Sequence, residues 1–278
     1  MIASWNIRGL NDPKKQKEIV NFCRDCRISL LCISETKVKP PNVQRIWTHI
    51  LPTWRLEAHQ SGRLWVGWNP VIWDVEIIVS SDQVIHCHCK LLGKDFSCFA
   101  SFVYGANDIA GRRTLWSDLL TFKSSISEPW IILGDFNEYR YLDDKVGGNV
   151  SIFRGMEEFN DFCFEAELED IRMSGIYLSW TNRCPSNQIL RRLDRAIVNY
   201  SWLQKYPASL IQVVSPGLSD HCPLVLHLNL DVATQKTFFK FFHCWVTHSD
   251  FLPIVQEVWK RNIEGTPMFQ VVSKLKLL

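Results

Sequence analysis

The stretch WIILGDFNEY, Trp130 to Tyr139, constrains the fold more than any other part of the chain. Trp130, Ile131, Ile132 and Leu133 form an unbroken apolar run, which reads as a strand buried on both faces. The run passes through Gly134 and ends in Asp135 and Asn137, on either side of Phe136. A carboxylate at the lip of a buried strand is costly to desolvate unless a metal, a cation or a substrate proton partners it. The fold must therefore bring other polar groups to this strand end.

Other apolar runs have the same form. Residues 2–7, 29–36, 63–69, 74–80, 83–90, 96–105, 177–182, 194–199 and 223–230 read as strands rich in Val, Ile, Phe and Trp. Helical stripes lie between some of them, at Ile19, Cys23 and Cys26, at Leu115, Leu119, Phe122 and Ile126, and at Met156, Phe159, Cys163 and Ala166. Several strands follow one another without a helix, which excludes a purely parallel doubly wound sheet. The pattern predicts an α/β (α+β) sandwich of two sheets flanked by helices. Beyond Leu230 the chain turns aromatic and then helical, and residues 232–278 read as a separate tail after a domain spanning 1–231. If that tail is a linker, Trp245 and Phe251 should be partly exposed.

Composition excludes some classes. A net charge of +2 in 278 residues does not mark a nucleic-acid binder, so any phosphate-binding surface must be local. No stretch approaches the roughly 20 apolar residues of a bilayer span, so no membrane partner is expected. Asn6 and Arg8 interrupt the first apolar run, which does not read as a signal peptide. The ten cysteines are scattered and read as free thiols. Neither Cys23 with Cys26 nor the run His86, Cys87, Cys89 has the spacing of a closed zinc site.

Polar residues recur at the strand ends: Asn6, Glu35, Tyr104, Asp135 with Asn137, Asp194, and the pair Asp220 and His221. One such residue is usually a turn former or cap. Together, each beside a run that belongs in the core, they point to a site. Glu35 and Asp220 are hard oxygen donors suited to Mg²⁺ or Mn²⁺. His221 needs a partner to fix its tautomer, and Asp194 can provide it. Asp135 could orient or deprotonate a water while Asn137 holds a substrate oxygen. This division of roles suits hydrolysis of a phosphodiester.

The series WNIRGL, SETK, YG, GDFN, SWTN, LDRAIVN and SDHCPLVL resembles the endonuclease/exonuclease/phosphatase superfamily, with its DNase I-like fold. GRLWVGWNP, EYRYLDDKVGG and FNDFCFEAELEDI bring it nearer to the endonuclease domain of plant LINE-type (non-LTR) retrotransposons, over residues 1 to about 260. The resemblance implies a four-layer sandwich of two mixed β-sheets flanked by helices, and Mg²⁺-dependent nicking of DNA. It implies metal-site roles for Glu35, Asn6 and Asp220, and catalytic roles for Tyr104, Asp135, Asn137, Asp194 and His221. Thr181 and Asn182 fall in a loop that approaches DNA in relatives, and Arg191, Arg192 and Arg195 are expected near the substrate backbone, as are Lys14, Lys15 and Lys17. The implied protein is a monomer in the nucleus, or otherwise the cytoplasm, without the reverse transcriptase domain of a parent element. Two other readings are an inactive remnant or nucleic-acid-binding module, and a phosphoesterase acting on a lipid or nucleotide phosphate.

Overall fold

The computed structural model describes residues 1–148, 154–230, 246 and 249–277. Its strands run in chain order β1 (Ile2–Asn6), β2 (Leu30–Ser34), β3 (Arg55–Ala58), β4 (Leu64–Trp68), β5 (Trp73–Ser80), β6 (Val84–Leu91), β7 (Ser97–Tyr104) and β8 (Trp130–Asp135). They continue with β9 (Lys145–Val146), β10 (Glu169–Asp170), β11 (Met173–Gly175), β12 (Trp180–Thr181), β13 (Leu190–Arg191), β14 (Asp194–Val198), β15 (Leu210–Val213) and β16 (Leu224–His227). The helices are α1 (Pro13–Asp25), α2 (Pro40–Ile50), α3 (Ile109–Lys123), α4 (Arg154–Glu165), α5 (Tyr200–Lys205), α6 (Phe251–Lys260) and α7 (Pro267–Leu275).

Two mixed sheets face each other. One has seven strands in the order β11-β15-β16-β1-β2-β4-β3, and the other has six in the order β10-β14-β8-β7-β6-β5. The β1–β2 and β7–β8 pairs are parallel, and β1–β16 and β8–β14 are antiparallel. A small third sheet, β12-β13-β9, is tied by a bridge between Trp180 and His221 to the segment before β16. Ile2, Leu30, Cys32, Phe102, Ile131, Leu133 and Ala196 fill the space between the two large sheets. Ala3, Trp5, Leu31 and Ile33 pack outward with Ile19 and Cys23 of α1 and Ile46 and Trp47 of α2. Trp130, Ile132 and Ile197 pack outward from the other sheet with Leu115 and Trp116 of α3 and Phe159 of α4. The result is helix, sheet, sheet, helix, the four-layer arrangement the sequence implied.

Alternation along each strand settles which polar residues meet, because successive side chains point to opposite faces. Ile131 and Leu133 face the inter-sheet core, so Asp135 does too. The same parity turns Asn6, Tyr104 and Asp194 inward on β1, β7 and β14. Arg195, one residue after Asp194, is thereby sent to the opposite face. Gly134 has a φ of +146°, and a Cβ there would lie 2.1 Å from the carbonyl oxygen of Val103. Only glycine lets β8 lie this close to β7 at that point.

The chain divides into two units, Met1–Thr237 and Phe238–Leu278. In the second, α6 and α7 are joined by a hydrogen bond from Lys274 Nζ to the carbonyl oxygen of Trp259 at 2.7 Å. Phe251 is half-buried, while Trp245 lies outside the described residues. No helix among the described residues is long and apolar enough to cross a membrane. The helices α2 and α5 and the short strands β3, β9, β10, β11, β13 and β15 are additions to the sequence reading. The 177–182 run is strand only at Trp180–Thr181.

Candidate active site

Strand register assembles the site. Tyr104 on β7 lies beside Asp135 on β8, and Asp135 lies beside Asp194 on β14. The facing sheet contributes Asn6 at the end of β1, and the loop before β16 contributes Asp220 and His221. Asn6 Nδ2 donates to Asp135 Oδ2 at 2.8 Å, bridging the two sheets. The backbone N–H of Asn137 donates to Asp135 Oδ1 at 2.9 Å, so both carboxylate oxygens are bonded. Asn137 has a φ of +52°, a left-handed turn that asparagine tolerates better than most residues, and its Nδ2 donates to the carbonyl of Gly105 at 2.8 Å.

His221 Nδ1 lies 2.9 Å from Asp194 Oδ2 and 3.8 Å from Asp135 Oδ2. Burial opposes charge on this ring, but the carboxylates of Asp194 and Asp135 outweigh it and raise its pKa to about 9. His221 is therefore an imidazolium at neutral pH, with Nδ1–H donating to Asp194. Burial also pushes Asp135 up, to about 6; the His221 charge lowers it and Asp194 raises it. Tyr104 is raised to about 12 by burial and by the carboxylates of Glu35 and Asp135, against the pull of Arg63. Its ring lies under the Arg63 guanidinium, 4.6 Å from the centroid.

Glu35 follows β2 with a φ of +53°, and its Oε1 meets Lys37 Nζ at 2.9 Å. Asp220 Oδ2 is ion-paired with Arg8 and accepts from Trp180 Nε1 at 3.2 Å. Asp220 Oδ1 is buried and has no hydrogen-bond partner. Burial tends to raise the Asp220 pKa, but His221 and Arg8 hold it below the usual carboxylate value. Asn6 Oδ1 accepts from the backbone N–H of Arg8 at 3.1 Å, so both ends of this amide are bonded within the protein.

The residues expected near DNA divide. Thr181 ends β12 and Asn182 begins the turn beyond it, both half-buried. Asn182 spends its side chain on that turn, with Oδ1 accepting from Cys184 and Ile189 and Nδ2 donating to Asn187. Arg191 is half-buried, its guanidinium 5.6 Å from the Trp180 ring centroid. The structure does not place Arg192 or Arg195 at the surface. Arg192 is buried against Asp170 and Asp144, and Arg195 pairs with the same two carboxylates on the outer face of β14. Lys15 donates to the carbonyls of Ile7 and Arg8, while Lys14 and Lys17 are exposed.

Sequence reading missed Ser179. Its buried hydroxyl donates to Asp194 Oδ2 at 2.7 Å and accepts from the backbone N–H groups of Leu193 and Asp194. The carboxylate that holds His221 is thus itself held. Arg8, Lys37, Arg63 and Trp180 were also missed as neighbours of the site. Their motifs, WNIRGL, SETK, GRLWVGWNP and SWTN, were visible, but their contacts span distant parts of the chain.

Comparison with known proteins agrees with this geometry. Residues 3–221 match the model of the Endonuclease/Exonuclease/phosphatase family. An exodeoxyribonuclease of Bacillus subtilis (strain 168) is 23% identical over 256 residues, covering 82% of this chain and 99% of the relative. The endonuclease domain of TRAS1, a telomere-specific non-LTR retrotransposon, superposes with a TM-score of 0.63 at 11% identity, covering 83% of this chain and 99% of that domain. A 3′ phosphatase from Neisseria, solved with a product DNA hairpin, gives a TM-score of 0.61 at 15% identity, covering 82% and 98%. These structural likenesses speak for the fold, and the family match extends across the residues of the site. The chain belongs to the endonuclease/exonuclease/phosphatase family of phosphoester hydrolases.

Proposed function

We propose that this chain is a divalent-metal-dependent endonuclease that nicks DNA and derives from a non-LTR retrotransposon. The observation that carries the reading is the row Tyr104–Asp135–Asp194 with His221 bonded to its far end. Asp135, ionised at neutral pH but more basic than an ordinary carboxylate, accepts a proton from the attacking water. The His221 imidazolium, kept charged by Asp194, offsets negative charge gathering on the phosphoryl oxygens. Tyr104 remains a neutral phenol and donates to a phosphate oxygen, and Asn137 has a second amide hydrogen for another. Thr181, Asn182 and Arg191 lie on the turn and strand offered to the DNA backbone.

The donor set fits Mg²⁺ or Mn²⁺. Asp220 Oδ1 is a buried acceptor without a donor, and Glu35 supplies a second hard oxygen ligand. Glu35 and Asp220 would hold the ion, with Asn6 beside them, and the ion would supply charge neutralisation at the cleaved phosphate. Donor atoms of Asp135, Asp194 and His221 also lie within 4.8 Å of one another. His221 Nδ1 is bonded to Asp194, and both oxygens of Asp135 are taken by Asn6 and Asn137, so that trio is read as the proton-bearing half of the site. The likeness to the TRAS1 domain and the plant LINE-like motifs support a retroelement origin.

The test is relaxation of supercoiled plasmid with Mg²⁺, with EDTA, and with Asp135→Ala and His221→Ala. Metal-dependent nicking that falls by about two orders of magnitude or more in both variants is expected. A folded wild type that leaves the plasmid supercoiled refutes the proposal. The likeness to a 3′ phosphatase favours a second reading, removal of terminal phosphate. Release of phosphate from a 3′-phosphorylated oligonucleotide, without internal cleavage, would select it.

A further inference from the structure

Arg8 stands beside the carboxylates proposed to hold the ion. It follows Asn6 by two residues, and its backbone is fixed on several sides. Its N–H donates to Asn6 Oδ1, its carbonyl accepts from Lys15 Nζ at 2.9 Å, and Gly9 N–H donates to the carbonyl of Glu35 at 2.7 Å. Arg8 itself sits at a left-handed turn, with a φ of +50°. Its guanidinium pairs with Asp220 Oδ2 and lies in the field of Glu35 and Tyr104. The Arg8 side chain is 52% exposed and that of Asp220 only 6%, so the cation covers the carboxylate from the solvent side.

We infer that Arg8 is a built-in second cation of this site, so that the site takes one divalent ion and the guanidinium meets the substrate phosphate. The inference rests on the metal-dependent nuclease reading above. Asp220 has two oxygens, and the structure spends them unequally. Oδ2 serves Arg8 and Trp180, while Oδ1 is left without a partner. One free oxygen on Asp220 and the carboxylate of Glu35 provide for one ion, and the fixed positive charge beside them disfavours a second. The Arg8 side chain is half exposed and its guanidinium carries five N–H donors, so it can keep Asp220 and still bind a phosphate oxygen. Metal and guanidinium repel each other, while both attract the phosphate.

This arrangement gives Arg8 opposite effects on two affinities. Replacing it removes repulsion from the metal and attraction from the DNA. Mn²⁺ binding to the full chain is measured calorimetrically for wild type, Arg8→Gln and Arg8→Lys. Binding of a short duplex is measured by fluorescence anisotropy in EDTA. Wild type is expected to bind one Mn²⁺. Arg8→Gln should bind Mn²⁺ at least about fivefold more tightly and duplex about threefold or more weakly, with Arg8→Lys restoring both toward wild type. An Arg8 that merely stiffens its loop would weaken both affinities together, and that result overturns the inference. Two Mn²⁺ ions in wild type, or unchanged affinities in Arg8→Gln, overturn it as well. If wild type nicks DNA with Mn²⁺ while the variants fail these expectations, only the role of Arg8 falls. A folded wild type that binds no Mn²⁺ and cuts nothing removes the nuclease reading too.

Discussion

Asn6, at the end of β1, donates its side-chain amide to Asp135, at the end of β8, and this bond joins strands of opposite sheets. Through it the ionised form of Asp135 gains a donor that its own sheet does not supply. Asn6→Ala is expected to lower nicking about tenfold to a hundredfold. It should also shift the acid limb of the pH profile upward. The amide bond favours the charged carboxylate, so its loss raises the pKa of Asp135 above its present value of about 6. A pH–rate profile of the variant tests this, and an acid limb that stays in place or moves down contradicts it.

Ser179 fixes Asp194, and Asp194 fixes His221. Ser179→Ala leaves the backbone N–H groups of Leu193 and Asp194 without their acceptor and takes one donor from the carboxylate. The expected cost is about 1–3 kcal/mol of stability, with a roughly tenfold loss of nicking. Ser179→Thr should recover most of both. Denaturant titrations alongside plasmid assays decide the matter, and a fully active, fully stable Ser179→Ala variant would sink the assignment.

His86 makes the fold sensitive to acid. It is buried, stacked on Phe122 at 3.9 Å, with Nδ1 at 2.7 Å from Ser101 Oγ. Burial lowers its pKa from 6.5 to about 4. The unfolded chain therefore binds a proton that the folded chain refuses between those values. Stability supplied by neutral His86 is complete above about pH 6.5 and is lost as pH falls toward 4, by roughly 3 kcal/mol at the limit. His86→Gln, which does not titrate there, should flatten the loss of stability between pH 7 and 4. Urea midpoints for both proteins across that range check this. Parallel pH dependences would show that another group is responsible.

The buried cluster of Arg140, Arg192, Arg195, Asp144 and Asp170 is expected to act on folding rather than on DNA. Removing Arg192 leaves Asp144 and Asp170 with Arg195 and Arg140 but strips a charged hydrogen-bond donor from a buried network, a loss of about 1–3 kcal/mol. Arg192→Ala should therefore lower the denaturation midpoint sharply yet leave the salt dependence of DNA binding unchanged. Arg191→Ala, on the partly exposed neighbour, should do the reverse. A salt slope altered by Arg192→Ala would return that residue to the interface.

Much of this site was legible because period-two alternation and strand-end placement are local properties. The parity that buries Ile131 and Leu133 on one side already carries Asp135 to the same side. The parity of β14 likewise separates Asp194 from Arg195. What could not be read is pairing between distant segments. Arg192 looks in sequence like a surface cation beside a catalytic aspartate. Only the return of Asp144 and Asp170 from other strands and turns shows it to be enclosed. Ser179 was hidden for the same reason, since a buried hydroxyl acquires its role only from the carboxylate that register brings opposite. The helix α2 begins at two consecutive prolines and is short, so its apolar stripe was too brief to stand out.

The pairing of β1 with β16 has a consequence for the life of the chain. Ile2 faces Leu226, so the first strand of the sandwich waits for its last. Until β16 emerges from the ribosome, β1 has only β2 beside it and the bond from Asn6 to Asp135 has no settled frame. His221 and Asp220 arrive with the same late segment. A nascent or truncated chain therefore carries no assembled site. The full set of site residues comes together only when the whole sandwich has closed.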